Sequence, residues 1–560
     1  MSSYLRMPWL DQYHDGQHAG LEPEYHTMLD AFRAAADRAP DQAAVRYFDG
    51  VLTLAQVDRA SDALAVALLE GGFHRHDRLA LYVQNNPGFV IGVIAAWKAG
   101  GTAVPVNPMN KASELRHLLD DCGATALLCL DTLYLSVVQG VISTDCQAIT
   151  TVITTSACDW QTRDDDRVMD VPPIPAPPGT LSLLDIVAAH NGRTPGASPP
   201  QPDDIAALTY TSGTTGRPKG AMNTHRAMVH SCCNFRQWMS LTPADTVLGT
   251  APLFHITGLL GHLGLALLLP CPLVLTHRFH PAVTLEALRE HRPTFTVAAI
   301  TALTRLLEES QEPAADFASL RVIYSGGAPI APAVGEAFHA RTGIYLHNIY
   351  GLTETTSITH ATPLGARSPV DPASGTLSIG VPVFGTSVRI LDDSGQEVPV
   401  GETGEIAISG PQIIPGYWGH PEATAEALPG GELRTGDVGF MDKDGWFYLV
   451  DRKKDMINAA GYKVWPREVE DLLQRHPAIR EAAVVGVPDR YRGETVVAFV
   501  SLHAGSTVTP AELVRFGKDN MAAYKYPRTV HVLDELPKTP SGKILRRELR
   551  DRTSAPSDPD

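Results

Sequence analysis

An α/β fold with mostly parallel sheets, followed by a smaller mixed unit, is what the chain predicts, and three observations predict it. Short apolar runs with strand character alternate with helical runs over most of the length, the pattern of helices crossing between parallel strands. From about residue 365 the texture changes to short alternating strands separated by DDSG, DKDG and PGGE, which reads as a small antiparallel β unit. After Asp451 a new mixed unit begins, placing a domain boundary near 451–455.

In chain order, DRLALYV at 77–83 reads as a strand and FVIGVIAAWKAG as the helix behind it. ATALLCL at 124–130, TVITT at 151–155 and IAALTY at 205–210 are further buried strands. VPPIPAPPGT at 171–180 and GRTPGASPPQPDD at 192–204 are rich in Pro and Gly and read as surface connections. TSVRIL, GEIAIS and GWFYLV supply the antiparallel strands. Beyond the boundary come a helix at PREVEDLLQRH, strands at AAVVGV and TVVAFVSL, a helix from Pro510, and a tail, TSAPSDPD, expected to be disordered.

Composition narrows the function classes. The chain has 560 residues, enough for several compact units, and 44% of them are hydrophobic. With a net charge of −16 it repels nucleic acid and anionic membrane as a whole. An anionic ligand must therefore be held by local backbone amides, a few cations or a metal. The seven cysteines form no CxxC pair, and Cys232 and Cys233 are adjacent, so they read as reduced thiols of a cytoplasmic protein. No secretory signal opens the chain, and the most apolar stretch, Leu259 to Leu275, is interrupted by His262 and Pro270, so no transmembrane segment is expected.

The segment Leu208 to Gly220, LTYTSGTTGRPKG, carries the most chemistry. A strand runs into a loop in which Gly213 and Gly216 let backbone N–H groups face an anion. Thr211, Ser212, Thr214 and Thr215 add hydroxyls, and Lys219 adds a point charge. This is the composition of a phosphate cradle, but not a Walker A loop, since Gly220 follows the lysine.

The segment resembles the phosphate loop of the adenylate-forming enzymes: acyl-CoA synthetases, aryl-CoA ligases, firefly-type luciferases and peptide-synthetase adenylation domains. The resemblance recurs in order at VPVNP, APLFHITGL, YSGGAP, NIYGLTETT, RTGDVGFMDKDGWFYLVDRKKDMI, GYKVWPREVE and PKTPSGKILRREL, from about residue 40 to 550. It implies a large N-terminal domain of two α/β sheets plus a small β-barrel over about 365–451. A smaller mobile α+β lid would occupy 452–560, turning about a hinge at Lys454. It implies ATP, Mg²⁺ and coenzyme A as ligands, and an acid–thiol ligase that makes acyl-AMP, releases pyrophosphate and passes the acyl group to CoA.

The same resemblance assigns roles. Gly326, Gly327 and Ala328 leave room for adenine against backbone, Tyr350 offers a flat face for it to stack on, Gly351 allows close approach, and Asn348 is a further nucleotide-binding residue. Thr353 faces the α-phosphate, and Glu354, with Thr211, holds Mg²⁺, a hard cation suited to carboxylate and phosphate oxygens. Asp437 takes the ribose hydroxyls and Arg452 the ribose or phosphate. Ala460, Gly461 and Lys463 lie where the pantetheine arm of CoA runs. Lys543 is the catalytic cation, offsetting the meeting of two anions when a carboxylate attacks the α-phosphate. His255 borders the acyl pocket, as a lining or positioning group or as a core histidine bonded to backbone. Two departures stand out: Asn458, where aryl-CoA ligases and luciferases usually carry lysine, and Asp451, where many members carry glycine.

Gly258, Gly261 and Gly264 recur at three-residue spacing in an apolar run, so on a helix they share a face. That face reads either as a slot for an alkyl chain beside His255 or as a surface for tight helix packing. The wording of SGGAP and GYKVWPREVE resembles bacterial medium- and long-chain fatty-acid–CoA ligases, so a fatty acid is the expected substrate. The alternatives are an aryl-CoA ligase, an acyl-AMP ligase loading a carrier-protein phosphopantetheine, and a non-catalytic nucleotide-binding protein. Oligomeric state is left open, a homodimer among the options.

Overall fold

A computed structural model of the chain describes residues 4–14, 17–142, 148–169, 174–211, 217–459, 462–489, 493–539 and 542–554. Two large sheets carry the first part. The seven-stranded sheet runs in the order Leu181–Ser182, Thr151–Thr155, Ala126–Leu130, Arg78–Tyr82, Thr102–Pro105, Ile205–Tyr210, Gly220–Thr224, parallel except for its last strand. The helix Pro87–Lys98 behind it is buried on every side, which explains its nearly unbroken apolar sequence. There Gly92 serves contact: a Cβ would stand 2.7 Å from Leu81 and 2.9 Å from Leu128.

The nine-stranded sheet brings Phe295–Ala298, Val322–Ser325 and Leu346–Leu352 side by side in parallel. Ser357–Ala361 then pairs antiparallel with Leu346–Leu352. The two sheets meet where Asn85 bridges His277. Asn85 also donates to the carbonyls of Gly249 and Ala251 and accepts from the N–H of Leu253. The C-terminal ends of parallel strands from both sheets thereby open onto one crevice, where ligands of α/β folds bind.

The strands expected to form a small barrel pair as a four-stranded antiparallel sheet: Ser387–Leu391, Gly404–Ser409, Leu433–Met441, Phe447–Arg452. Among the described residues its first and last strands do not pair, so the sheet is open rather than closed on itself. The part of the 365–451 stretch before Ser387 contributes the strand Val381–Pro382 to the nine-stranded sheet instead.

The last unit is a five-stranded mixed sheet from Ile457 onward, flanked by the helices Pro466–Leu473, Pro510–Asn520 and Arg546–Ser554. It rests on the large domain. A Cβ on Gly542 would lie 2.3 Å from the Thr301 hydroxyl, and Arg305 stands 4.0 Å from Glu535. Residues 171–173 of the first connection and 555–560 of the tail lie outside the described residues. Among the described residues no helix is long and apolar enough to cross a membrane.

The glycine face of 258–264 is filled. A Cβ on Gly258 would lie 2.1 Å from the Pro252 carbonyl oxygen, one on Gly261 2.8 Å from Val297, and one on Gly264 2.7 Å from the Cys232 sulfur. The helical arithmetic also fails locally, because Leu259–Gly264 winds as π turns between two short α segments. The glycines serve packing, and the slot reading is corrected.

Candidate active site

A cavity of about 1630 Å³ lies between the two large sheets, the antiparallel sheet and the C-terminal unit. Of the residues expected at the site, Thr211, Lys219, His255, Gly326, Gly327, Ala328, Asn348, Tyr350, Gly351, Thr353, Glu354, Asp437, Arg452 and Lys543 line it. They come from segments more than 300 residues apart. Ser212, Gly213, Thr214, Thr215 and Gly216 of the phosphate loop, and Ala460 and Gly461, lie outside the described residues. Lys463 falls in the strand Tyr462–Val464, opposite Asn458.

Register explains the end where a nucleotide is expected. Ser325 pairs with Asn348 on parallel neighbours, so Gly326–Ala328 and Tyr350–Gly351 emerge together. Two glycines there answer to backbone contact. A Cβ on Gly351 would lie 1.6 Å from the Ser357 carbonyl oxygen, and one on Gly326 2.6 Å from that of Ile349. Asn348 donates its side-chain amide to the Ser378 carbonyl at 2.9 Å. Asp437 and Arg452 are cross-strand partners, and the Arg452 Nε lies 3.3 Å from the buried carboxylate. The Tyr350 hydroxyl donates to the same carboxylate at 2.7 Å.

The Thr353–Glu354 turn is held under strain. Thr356 and Ser357 adopt φ of 45° and 88°, a region β-branched and bulky residues rarely enter. Asn223 secures it by donating to the Thr353 carbonyl (3.2 Å) and the Thr356 hydroxyl (3.1 Å), and Ser231 donates to the Thr356 carbonyl at 2.6 Å. Tyr417 donates to Glu354 Oε1 at 2.7 Å, and the Lys219 ammonium stands 5.4 Å from the Tyr417 ring centroid. Sequence reasoning missed Asn223, Ser231 and Tyr417. Only Tyr417 carried a signal, an aromatic pair between glycines in PGYWG.

Among the described residues no cluster of three or more His, Cys, Asp or Glu could hold a metal. A single carboxylate, Glu354, beside hydroxyls and a lysine fits a cation held mainly by phosphate oxygens of its ligand, as Mg²⁺ often is.

At the other end Lys543 enters from the C-terminal unit on a tight loop. The Thr539 hydroxyl accepts from the Lys543 N–H at 3.1 Å, and the Lys543 carbonyl accepts from the Thr539 N–H at 2.7 Å. Burial, with repulsion from Arg452, pushes the Lys543 ammonium down to about 8. His255 caps a short helix, its Nδ1 accepting from the Thr257 N–H at 3.3 Å. Burial, then the charge of Lys543, pushes His255 down to about 4, so the ring is neutral near pH 7. Phe235, Val297, Ile300, Ile349, Ile358 and Ile379 add apolar lining to the same cavity.

Comparison with known proteins decides the family. Residues 32–418 match the family described as AMP-binding enzyme, and residues 468–543 its C-terminal domain. The chain belongs to the AMP-binding enzyme family. It has the fold of adenylate-forming enzymes, a large N-terminal α/β domain and a smaller C-terminal one. A long-chain-fatty-acid–CoA ligase of Bacillus subtilis is 34% identical over 97% of both chains. A feruloyl-CoA synthase of an Amycolatopsis species is 36% identical over 92% of this chain and 97% of that one. Among solved structures, an anthranilate CoA ligase in complex with anthranoyl-AMP superposes with a TM-score of 0.85 at 26% identity, covering 95% of this chain and 98% of that one.

Proposed function

We propose that this AMP-binding enzyme is an acid–thiol ligase that activates a medium- or long-chain fatty acid. A carboxylate oxygen attacks the α-phosphorus of ATP, and pyrophosphate leaves. The thiol of coenzyme A then attacks the acyl carbonyl, and AMP leaves. The observation that carries the reading is the single cavity shared by Lys543, the Asp437–Arg452–Tyr350 cluster, the Thr353–Glu354 turn and Lys219. Each group has a task there. Asp437 and Tyr350 fix the nucleoside, Lys219 and Thr211 hold phosphate oxygens, and Lys543 bears on the anionic α-phosphate as the carboxylate approaches. Glu354 and Thr211 would hold Mg²⁺, which when bound neutralises phosphate charge.

We place the domain boundary near 451–455, because Phe447–Arg452 is the last strand of the antiparallel sheet and Ile457–Ala459 the first strand of the next. The C-terminal unit then acts as a lid that turns about Lys454. One orientation presents Lys543 for adenylation, and a second presents the Ala460–Gly461 stretch to CoA. A cytoplasmic location accords with free, mostly buried cysteines.

The fatty-acid reading rests on the apolar residues among the cavity lining and on the relatives named long-chain-fatty-acid–CoA ligases. The feruloyl-CoA synthase, 36% identical, favours an aryl acid as the second reading. A pyrophosphate-release screen over fatty, hydroxycinnamic and short acids separates them. Highest kcat/KM on fatty acids is expected; highest kcat/KM on hydroxycinnamates would replace this reading with the second.

A further inference from the structure

Asp451 has unusual surroundings for a carboxylate so close to the hinge. It sits near the end of the strand Phe447–Arg452, on the large-domain side of Lys454. Its carboxylate is buried, with a side-chain exposure of 3%. Oδ2 accepts the backbone N–H of Arg467 at 2.8 Å, and Oδ1 accepts that of Arg452 at 2.7 Å. Arg467 is the second residue of the lid helix Pro466–Leu473, so the carboxylate meets the positive end of that helix. The Arg467 guanidinium returns a hydrogen bond to the Leu449 carbonyl, on the same strand as Asp451, at 2.7 Å.

A second arm leads to the catalytic loop. Arg546, three residues after Lys543, stands 3.8 Å from Asp451 Oδ1. It is gripped by both oxygens of Glu470 at 2.8 Å and lies 3.5 Å from Asp455, which also pairs with Arg550. Asp451 and Leu449 belong to the large domain, whereas Arg467, Glu470, Asp455 and Arg546 belong to the lid. The links of Asp451 to Arg467 and Arg546, and of Arg467 to Leu449, therefore cross between the two and exist only in a lid orientation like this one, in which Lys543 and Asp437 line one cavity.

We propose that Asp451 is a positioning residue for adenylation: its carboxylate latches Arg467 and Arg546 and so holds the lid where Lys543 faces the α-phosphate. The proposal rests on the two-orientation lid of the preceding section. A rotation about Lys454 must break the Arg467 bonds, so the latch favours the first half-reaction over the second. A glycine at this position would offer only backbone.

The test compares Asp451→Ala and Asp451→Asn with the parent and with Lys543→Ala. Pyrophosphate release is measured separately from thioester formation by pre-made acyl-AMP plus CoA. A third readout follows lid orientation without turnover, as energy transfer between dyes on the large domain and the lid. Losing a hydrogen bond to a buried charged group costs enough for about a tenfold or larger fall in pyrophosphate release by Asp451→Ala. Its thioester step is expected at the parent rate or faster, with energy transfer shifted away from the parent value. Asp451→Asn keeps an acceptor oxygen for the Arg467 N–H and should recover part of the loss. It also decides the matter if the alanine variant fails to fold. Equal losses in both steps, or no change in either, would overturn the latch while Lys543→Ala still separates the steps. If Lys543→Ala lost both steps equally, the two-orientation reading would fall and the latch with it.

Discussion

Raising the pH should switch off adenylation by removing the charge on Lys543. Burial and the neighbouring Arg452 hold this ammonium down to about 8. The protonated form is the active one, so activity is full below that value and falls as pH rises through it. At pH 7 about nine-tenths of the free enzyme carries the charge, and at pH 9 about one-tenth, a drop of roughly tenfold. His255, held near 4, stays neutral throughout and adds no limb between pH 6 and 9. The assay is kcat/KM for ATP in pyrophosphate release from pH 6 to 10, since this parameter reports the free enzyme. Lys543→Arg, which cannot deprotonate in this range, should lose the alkaline limb whatever its absolute rate. An alkaline limb that persists in Lys543→Arg, or a parent profile flat to pH 10, would refute the assignment.

Three further outcomes follow from the same geometry. Glu354→Gln should raise the Mg²⁺ concentration giving half-maximal pyrophosphate release and slow the step, and Tyr417→Phe, which frees Glu354 Oε1, should do the same to a smaller degree; metal titrations of both variants check this. Gly264→Ala meets Cys232 and should lower Tm while leaving the long-to-short acid preference unchanged. Gly542→Ala combines φ of +83° with a contact on Thr301, so it should slow pyrophosphate release at least about tenfold and spare the thioester step.

Local patterns were legible in the sequence where a segment's own residues decide its structure. Ile205–Tyr210 and Thr151–Thr155 read directly as strands because apolar, β-branched runs end at turn residues. The change of texture after 365 marked real antiparallel strands, but pairing partners decide whether strands close, and these form an open sheet. The pairing of Asp437 with Arg452 was invisible to spacing, because cross-strand register is set by the whole sheet. Glycines were the least legible. A missing side chain makes room, and sequence does not say for what: at Gly351 the room is taken by a carbonyl, at Gly264 by a cysteine. Tyr417 and Asn223 escaped notice because their partners, Glu354 and Thr353, lie 63 and 130 residues away.

The central claim is that one lid serves two half-reactions in turn, and Lys543→Ala tests it most directly. Pyrophosphate release and thioester formation from pre-made acyl-AMP and CoA are measured on the same folded preparation. Loss of a preorganised charge of this kind typically costs about 10²–10³ in rate, so pyrophosphate release should fall by that factor while thioester formation stays close to the parent rate. Equal loss of both steps at unchanged Tm would contradict the account.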